Sequence, residues 1–227
     1  MLMVGFPMYH TLPVPFFAGW LAMDKSPVMG TTVVNGAYIE IAMTSIVTET
    51  LKVEGWDRLV IMEHDMVPSA NAFLRMNAYA PEVDVVGSMY FRHEEPYQAV
   101  VYVEHSDTTH GAITPQTVKD WCDTPGLYPC DGVGFGLTSM SRRCLEAWDP
   151  DIPMFNLDNH YGSHDLWFCH HAREQGFNVS VDSGIVCDHL TQHKPIGLSH
   201  NQSYYDSTDY SQVVVFNKQP LQGVSNG

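Results

Sequence analysis

A four-residue apolar run, Leu59-Val60-Ile61-Met62, constrains this chain more than any other feature; it is framed by Trp56-Asp57-Arg58 and by Glu63-His64-Asp65. A strand that does not alternate apolar with polar residues has no face to give to water. It suits a central parallel strand covered on both sides. The segments around it can supply the cover. From Ala37 the apolar positions take a helical period, placing Ile39, Ala42, Met43, Ile46, Val47 and Leu51 on one face. Residues 1–6, 28–34 and 83–90 read as further strands, the first ended by Pro7. Pro68 and Ser69 open an expected helix through about Met76, since proline is tolerated in a first turn. Strands alternate with helices, so the expected fold is α/β, with a mixed, mostly parallel central sheet flanked by helices.

Residues 93–130 break this pattern. They are polar, carry His and Pro, and include the turn signals Thr124-Pro125-Gly126 and Tyr128-Pro129, so they read as a long irregular insertion. Order is expected to return with a strand at 133–140 and a helix near 141–148. Ser163 is a good N-cap for a helix with Leu166, Cys169 and Ala172 inward, ending at Gly176. Short strands are expected at 177–181 and 185–187. Residues 1–195 form the expected domain, and 196–227 a polar tail that would be a lid or partly disordered.

Charge narrows the function. Eleven basic against 26 acidic residues give a net charge of −15, which disfavours a broad grip on nucleic acid. A phosphorylated ligand would need the help of a cation, and a divalent metal supplies it most simply. Five scattered cysteines without a C-x-x-C pair fit reduced thiols better than a disulfide framework or structural zinc. No apolar run approaches a membrane span and the first residues lack a basic n-region, so the expectation is a cytoplasmic protein.

Three constellations carry chemistry. Residues two apart in an extended segment point the same way, so Glu63 and Asp65 would project together from the carboxyl end of the buried strand. That edge is where open α/β sheets bind ligands. Two carboxylates there suit Mg²⁺ or Mn²⁺ with substrate phosphates completing the shell, though acids also simply end strands. Asp165, in the first turn of the helix capped by Ser163, would be held ionised by the positive helix end and available as a base. Asp188-His189 ends a short apolar strand, and histidine also serves Mn²⁺.

The order of these features, with Gly132-Val133-Gly134-Phe135-Gly136 between them, resembles the GT-A glycosyltransferases, particularly the inverting family-two type and related short bacterial and phage enzymes. The resemblance covers about residues 1–195, with a donor half at about 1–92 and an acceptor half at about 93–195. It implies a Rossmann-like fold and a metal-dependent transfer of a sugar from a nucleotide diphosphate, with UDP the expected nucleotide, to a hydroxyl acceptor with inversion. Glu63-His64-Asp65 matches the paired-acid motif, with Asp65 the expected metal ligand and Glu63 on the donor. His189 resembles the late histidine that joins the metal shell, and Asp165 the catalytic base. Gly134, Phe135, His164 and Trp167 fall on the implied acceptor side, and Pro7 and Tyr9 where the family's first strand ends against base and ribose. Arg92, His193 and Lys194 are the scarce cations proposed for the diphosphate. Two departures stand out: Glu63 replaces the usual Asp, and His164 replaces the usual Glu. The acceptor class stays open among protein, glycan, lipid and modified DNA base.

Two other readings stand beside this one. His105-Ser106-Asp107 with a distant histidine such as His160 has the composition of a non-heme iron oxygenase site. A catalytically inactive protein that binds nucleotide sugar is the other.

Overall fold

The computed structural model describes residues 1–8, 11–106, 109–159, 161–191, 195–199 and 201. In chain order the first elements are β1 (Leu2–Met8), α1 (Val14–Ala22), β2 (Val28–Asn35), α2 (Ile39–Leu51), β3 (Arg58–Met62) and β4 (Met66–Pro68). There follow α3 (Ala72–Asn77), β5 (Val85–Met89), β6 (Val101–Ser106), β7 (Thr109–Ala112), α4 (Pro115–Asp123) and β8 (Leu127–Pro129). The last are β9 (Gly132–Val133), β10 (Leu137–Ser141), α5 (Arg142–Glu146), α6 (His164–Glu174), β11 (Val179–Leu190) and β12 (Pro195–Ile196).

Nine strands make one sheet in the order β12-β11-β5-β10-β3-β1-β2, with β4 and β8 also paired to β11. β2, β1 and β3 run parallel, as do β5 and β11, and β10 enters antiparallel between β3 and β5. This is the expected mixed, Rossmann-like α/β arrangement.

The apolar run of β3 explains the layering. Leu59 and Ile61 pack in one cluster with Met43, Ile46 and Val47 of α2 and with Phe168 and Ala172 of α6. Val60 and Met62 pack on the opposite face with Phe16 of α1 and Phe73 and Met76 of α3. Each of the four is fully enclosed, a burial that contributes about 1.5–3 kcal/mol per side chain. At Gly5, a Cβ would lie 2.3 Å from Ile46 Cγ2, so the glycine lets α2 rest directly on β1. Among the described residues, no helix is long and apolar enough to cross a membrane.

Several expectations change. β1 continues through Pro7, whose ring tolerates its place opposite Val34. α1 is apolar on every side, so no charged face marked its period. Pro68 closes β4 against Cys187 of β11, and the helix begins only at Ala72 after a Ser69–Ala72 turn. Residues 93–130 are largely ordered: β6, β7 and β9 form a second sheet. α4 is capped by Thr114, whose side chain accepts a hydrogen bond from Thr117 N, and only Val118 of this helix is buried. The two short strands expected at 177–187 are one strand, β11, with a bulge between Asp182 and Val186.

Candidate functional site

The site forms at the carboxyl ends of β3, β5 and β11. After Met62 the chain turns tightly: Glu63 N donates to Gly136 O (2.8 Å), and Met66 N to Glu63 O (3.2 Å). This turn feeds β4, which pairs with the end of β11 so that Met66 stands opposite His189. Leu190 N also donates to Asp65 O at 2.7 Å, so backbone bonds fix Asp65 beside His189.

The side chains meet there. His189 Nε2 lies 3.4 Å from Asp65 Oδ2, and His189 Nδ1 lies 2.8 Å from Phe91 O. A carbonyl only accepts, so Nδ1 carries the hydrogen, and Nε2 is the nitrogen that faces Asp65. Asp65 Oδ1 is buried with no hydrogen-bond partner among the described residues. A cation bound between Nε2 and the orphaned carboxylate oxygen would satisfy both. His93 completes the cluster: its ring centroid is 3.5 Å from that of His189, and ligand atoms of Asp65, His93 and His189 lie within 4.8 Å of one another. The group can hold a metal ion, with the second nitrogen of His189 oriented by a carbonyl, as is usual for metal-bound imidazoles.

Electrostatics agree with that use. Burial alone would push the Asp65 carboxyl up, but the His189 contact and the charges of His189, His64 and His93 outweigh it and hold it below the ordinary range. Burial and the neighbouring His189 push His93 down, favouring the neutral ring a metal requires. Burial, Asp65 and Asp165 together push Glu63 up to about 8.

A cleft of about 520 Å³ opens beside this cluster, with Tyr90, Arg92, His93, Tyr161, Asp165 and His189 in its walls. Asp165 stands in the first turn of α6, where Leu166 N donates to Asp165 Oδ1 (2.9 Å) and to the Ser163 cap (3.4 Å). Arg92 Nη2 donates to the Tyr102 hydroxyl (3.2 Å), a bond that raises its guanidinium further above neutrality. Gly136 N donates to the Tyr90 hydroxyl (3.4 Å). Burial, with Asp165, Glu63 and Asp65 nearby, raises that phenol well above its usual range. A Cβ at Gly134 would lie 1.8 Å from the Tyr90 hydroxyl, so this glycine makes room for the ring.

A smaller cavity of about 160 Å³ lies on the other side, lined by Pro7, Met8, Ala37, Ile39, Ala42, Glu63 and His64. Its walls are mostly apolar, and Glu63 supplies the one carboxyl group among its lining residues. Glu63 lines this cavity and is near enough to Asp65 and Asp165 to feel their charges.

With this geometry in view, a crystal structure of A197 from STIV is similar to the chain, with a TM-score of 0.65 at 15% identity over 88% of this chain and 91% of that one. At that identity the likeness speaks for the fold alone. No protein-family model matches the chain, and no curated protein does.

The structure brings together Asp65, His189, Arg92 and Asp165, and puts Pro7 and Glu63 in one cavity. It corrects three acceptor-side expectations. Phe135 is 1% exposed and packs on Phe155 and Phe168, because the bend between β9 and β10 turns its ring into the core. His164 lies between the rings of Phe135 and Phe155, and burial pushes its imidazole down. Trp167 donates its indole N–H to Pro153 O (2.7 Å), since two residues along a helix turn it about 200° from Asp165. Gly134 acts through Tyr90 rather than by touching the cleft. Tyr9, His193, Lys194, Asp107 and His160 lie outside the described residues, as does the side chain of His105. His93 and Tyr90 were not anticipated. Their signal was position: both follow the apolar run of β5 as Glu63 and Asp65 follow that of β3.

Proposed function

We propose that the protein is a metal-dependent glycosyltransferase of the GT-A type, moving a sugar from a nucleotide diphosphate, with UDP the first choice, to a hydroxyl acceptor with inversion. The observation that supports this reading is the convergence of Asp65, His93 and His189 at a cleft bearing Asp165. One carboxylate and two imidazoles fit Mn²⁺ better than Mg²⁺, which prefers oxygen alone. When bound, the cation offsets the diphosphate charge and eases departure of the nucleotide.

The chain's own residues do the rest. Pro7 and Glu63 line the cavity offered to base and ribose, with the high pKa of Glu63 allowing its carboxyl to donate to a ribose hydroxyl. Arg92 offers a cation to the phosphates from the cleft wall. Asp165 takes the acceptor hydroxyl's proton as the new bond to the anomeric carbon forms and the bond to the phosphate oxygen breaks. The protein's −15 charge makes an acceptor other than nucleic acid the favoured class.

Thermal shifts with a panel of nucleotide diphosphates, in Mn²⁺ and in EDTA, test the binding. Stabilisation in Mn²⁺ alone supports the reading, and equal shifts in both overturn it. Hydrolysis of the matching nucleotide sugar separates an active enzyme from an inactive binder. A second reading rests on the donor set itself, because two histidines and one carboxylate also hold iron in oxygenases. Oxygen uptake on adding Fe²⁺ and a 2-oxoacid, without nucleotide binding, would favour it.

A further inference from the structure

A second group of metal-ligating side chains lies in the C-terminal half of α6 and plays no part in the function proposed above. His170 and His171 are neighbours, and Glu174 follows them by four and three residues, spacings that bring all three to one side of a helix. Glu174 Oε1 lies 3.3 Å from His170 Nε2 and Glu174 Oε2 2.9 Å from His171 Nδ1, and the ligand atoms of the three lie within 4.8 Å of one another. We propose that His170, His171 and Glu174 form a separate site for a transition-metal ion of the Zn²⁺ class.

Geometry, rigidity and chemistry support it. Zinc bonds of about 2.0–2.1 Å place tetrahedral donor atoms about 3.3 Å apart, near the two carboxylate–imidazole separations here, with all three groups' ligand atoms within 4.8 Å. Both rings are set before any ion arrives. Tyr161 lies over His170 with centroids 4.4 Å apart, and Trp167 meets His171 edge-on at 4.2 Å. Side chains already held by packing lose little freedom on binding. The adjacent cation, Arg173, pairs with Asp131 at 2.9 Å and so leaves the Glu174 carboxylate to the two imidazoles. Two nitrogens and one oxygen select Zn²⁺, Co²⁺ or Ni²⁺ over Mg²⁺ or Ca²⁺. The half-exposed Glu174 gives an ion a route in and leaves room for water as a fourth ligand. Tyr161 also lines the cleft, so an ion at His170 would stiffen the wall facing Asp165.

The test titrates Zn²⁺ by calorimetry, and Co²⁺ by its visible absorption, into full-length protein stripped with a chelator. Three variants are compared with wild type: Asp65→Ala, His170→Ala with His171→Ala, and Glu174→Gln. The proposal expects Asp65→Ala to keep one ion at the α6 site, with a Co²⁺ spectrum that the double variant lacks. Glu174→Gln, at an exposed position that leaves the helix intact, weakens the same ion and serves if the double variant does not fold. Equal binding by wild type and Glu174→Gln, together with no binding by Asp65→Ala, overturns the proposal. The Asp65 site is read independently in the same titrations, so failure of one assignment does not mask failure of the other.

Discussion

His189 gives its Nδ1 hydrogen to the carbonyl oxygen of Phe91, 2.8 Å away, and thereby turns its other nitrogen toward Asp65. The ring is aimed by backbone just beyond the end of β5 and carried by β11, so its direction depends on how those two neighbouring strands pair. His189→Ala removes one of three donors while leaving the Phe91 carbonyl free to bond water. With nucleotide diphosphate at about 100 times its Kd, the Mn²⁺-dependent stabilisation of wild type should be about 2.7 kcal/mol. The variant should lose most of it in a thermal-shift comparison, with little change in the metal-free melting temperature.

Asp165→Asn should separate chemistry from binding. The amide keeps an oxygen to accept from Leu166 N but no longer takes a proton. Sugar transfer should fall by about 10² to 10⁴, with nucleotide and Mn²⁺ binding nearly unchanged. If Asp165 only caps its helix, transfer persists and stability drops by about 1 kcal/mol or less. Single-turnover assays at saturating donor read the difference.

Gly134→Ala tests the support of Tyr90. The added methyl meets the Tyr90 hydroxyl at 1.8 Å and Val100 Cγ1 at 2.6 Å, so the buried Tyr90 ring must shift to admit it. Overpacking of this kind costs about 1–3 kcal/mol, and a urea melt should show it. Displacement of the ring should also weaken nucleotide binding, because Tyr90 packs edge-on against His189 at 5.4 Å.

Asp84 is fully buried and accepts hydrogen bonds from Ser141 Oγ, Arg143 Nε and the backbone and side chain of Asn178. These bonds join β5, α5 and the start of β11. Asp84→Ala leaves several of those donors buried without an acceptor. Loss of one partner in such a network costs about 3–5 kcal/mol, and the partly solvated Arg143 puts this case near the lower end. Urea unfolding of the metal-free protein measures it.

Legibility in the amino-acid sequence followed periodicity. The continuous run at Leu59–Met62 announced a strand enclosed on both faces, and Ile39 to Leu51 announced the helix that covers one of them. α1 offered no such contrast, because a helix without a polar face has no period to read. α4 was hidden for the opposite reason: one buried residue, Val118, in a polar segment resembles a loop, although Thr114-Pro115 marked its start. Within the site, Asp65, His189 and Asp165 could be found because each ends or begins a patterned element. His93 lies four residues beyond Met89, the end of β5, and its role depends on a strand that joins the sheet much later in the chain. Phe135 and His164 were misplaced because spacing along the chain does not tell which face of a buried element a side chain takes.

The placement of β11 has a consequence for how the molecule comes into being. Asp65 emerges early in synthesis, whereas His189 follows more than half the chain later, on a strand that bonds β5 along one edge and β4 and β8 along its course. Until Val179–Leu190 arrives, β5 has an open edge, Asp84 has no Asn178, and the cation site has no Nε2. The last long strand among the described residues thus covers the open edge of β5 and assembles the cation site in one event. A nascent or truncated chain carries neither, and capture of a metal at the Asp65 site, as distinct from the α6 group, becomes a report that the polypeptide has been completed through β11.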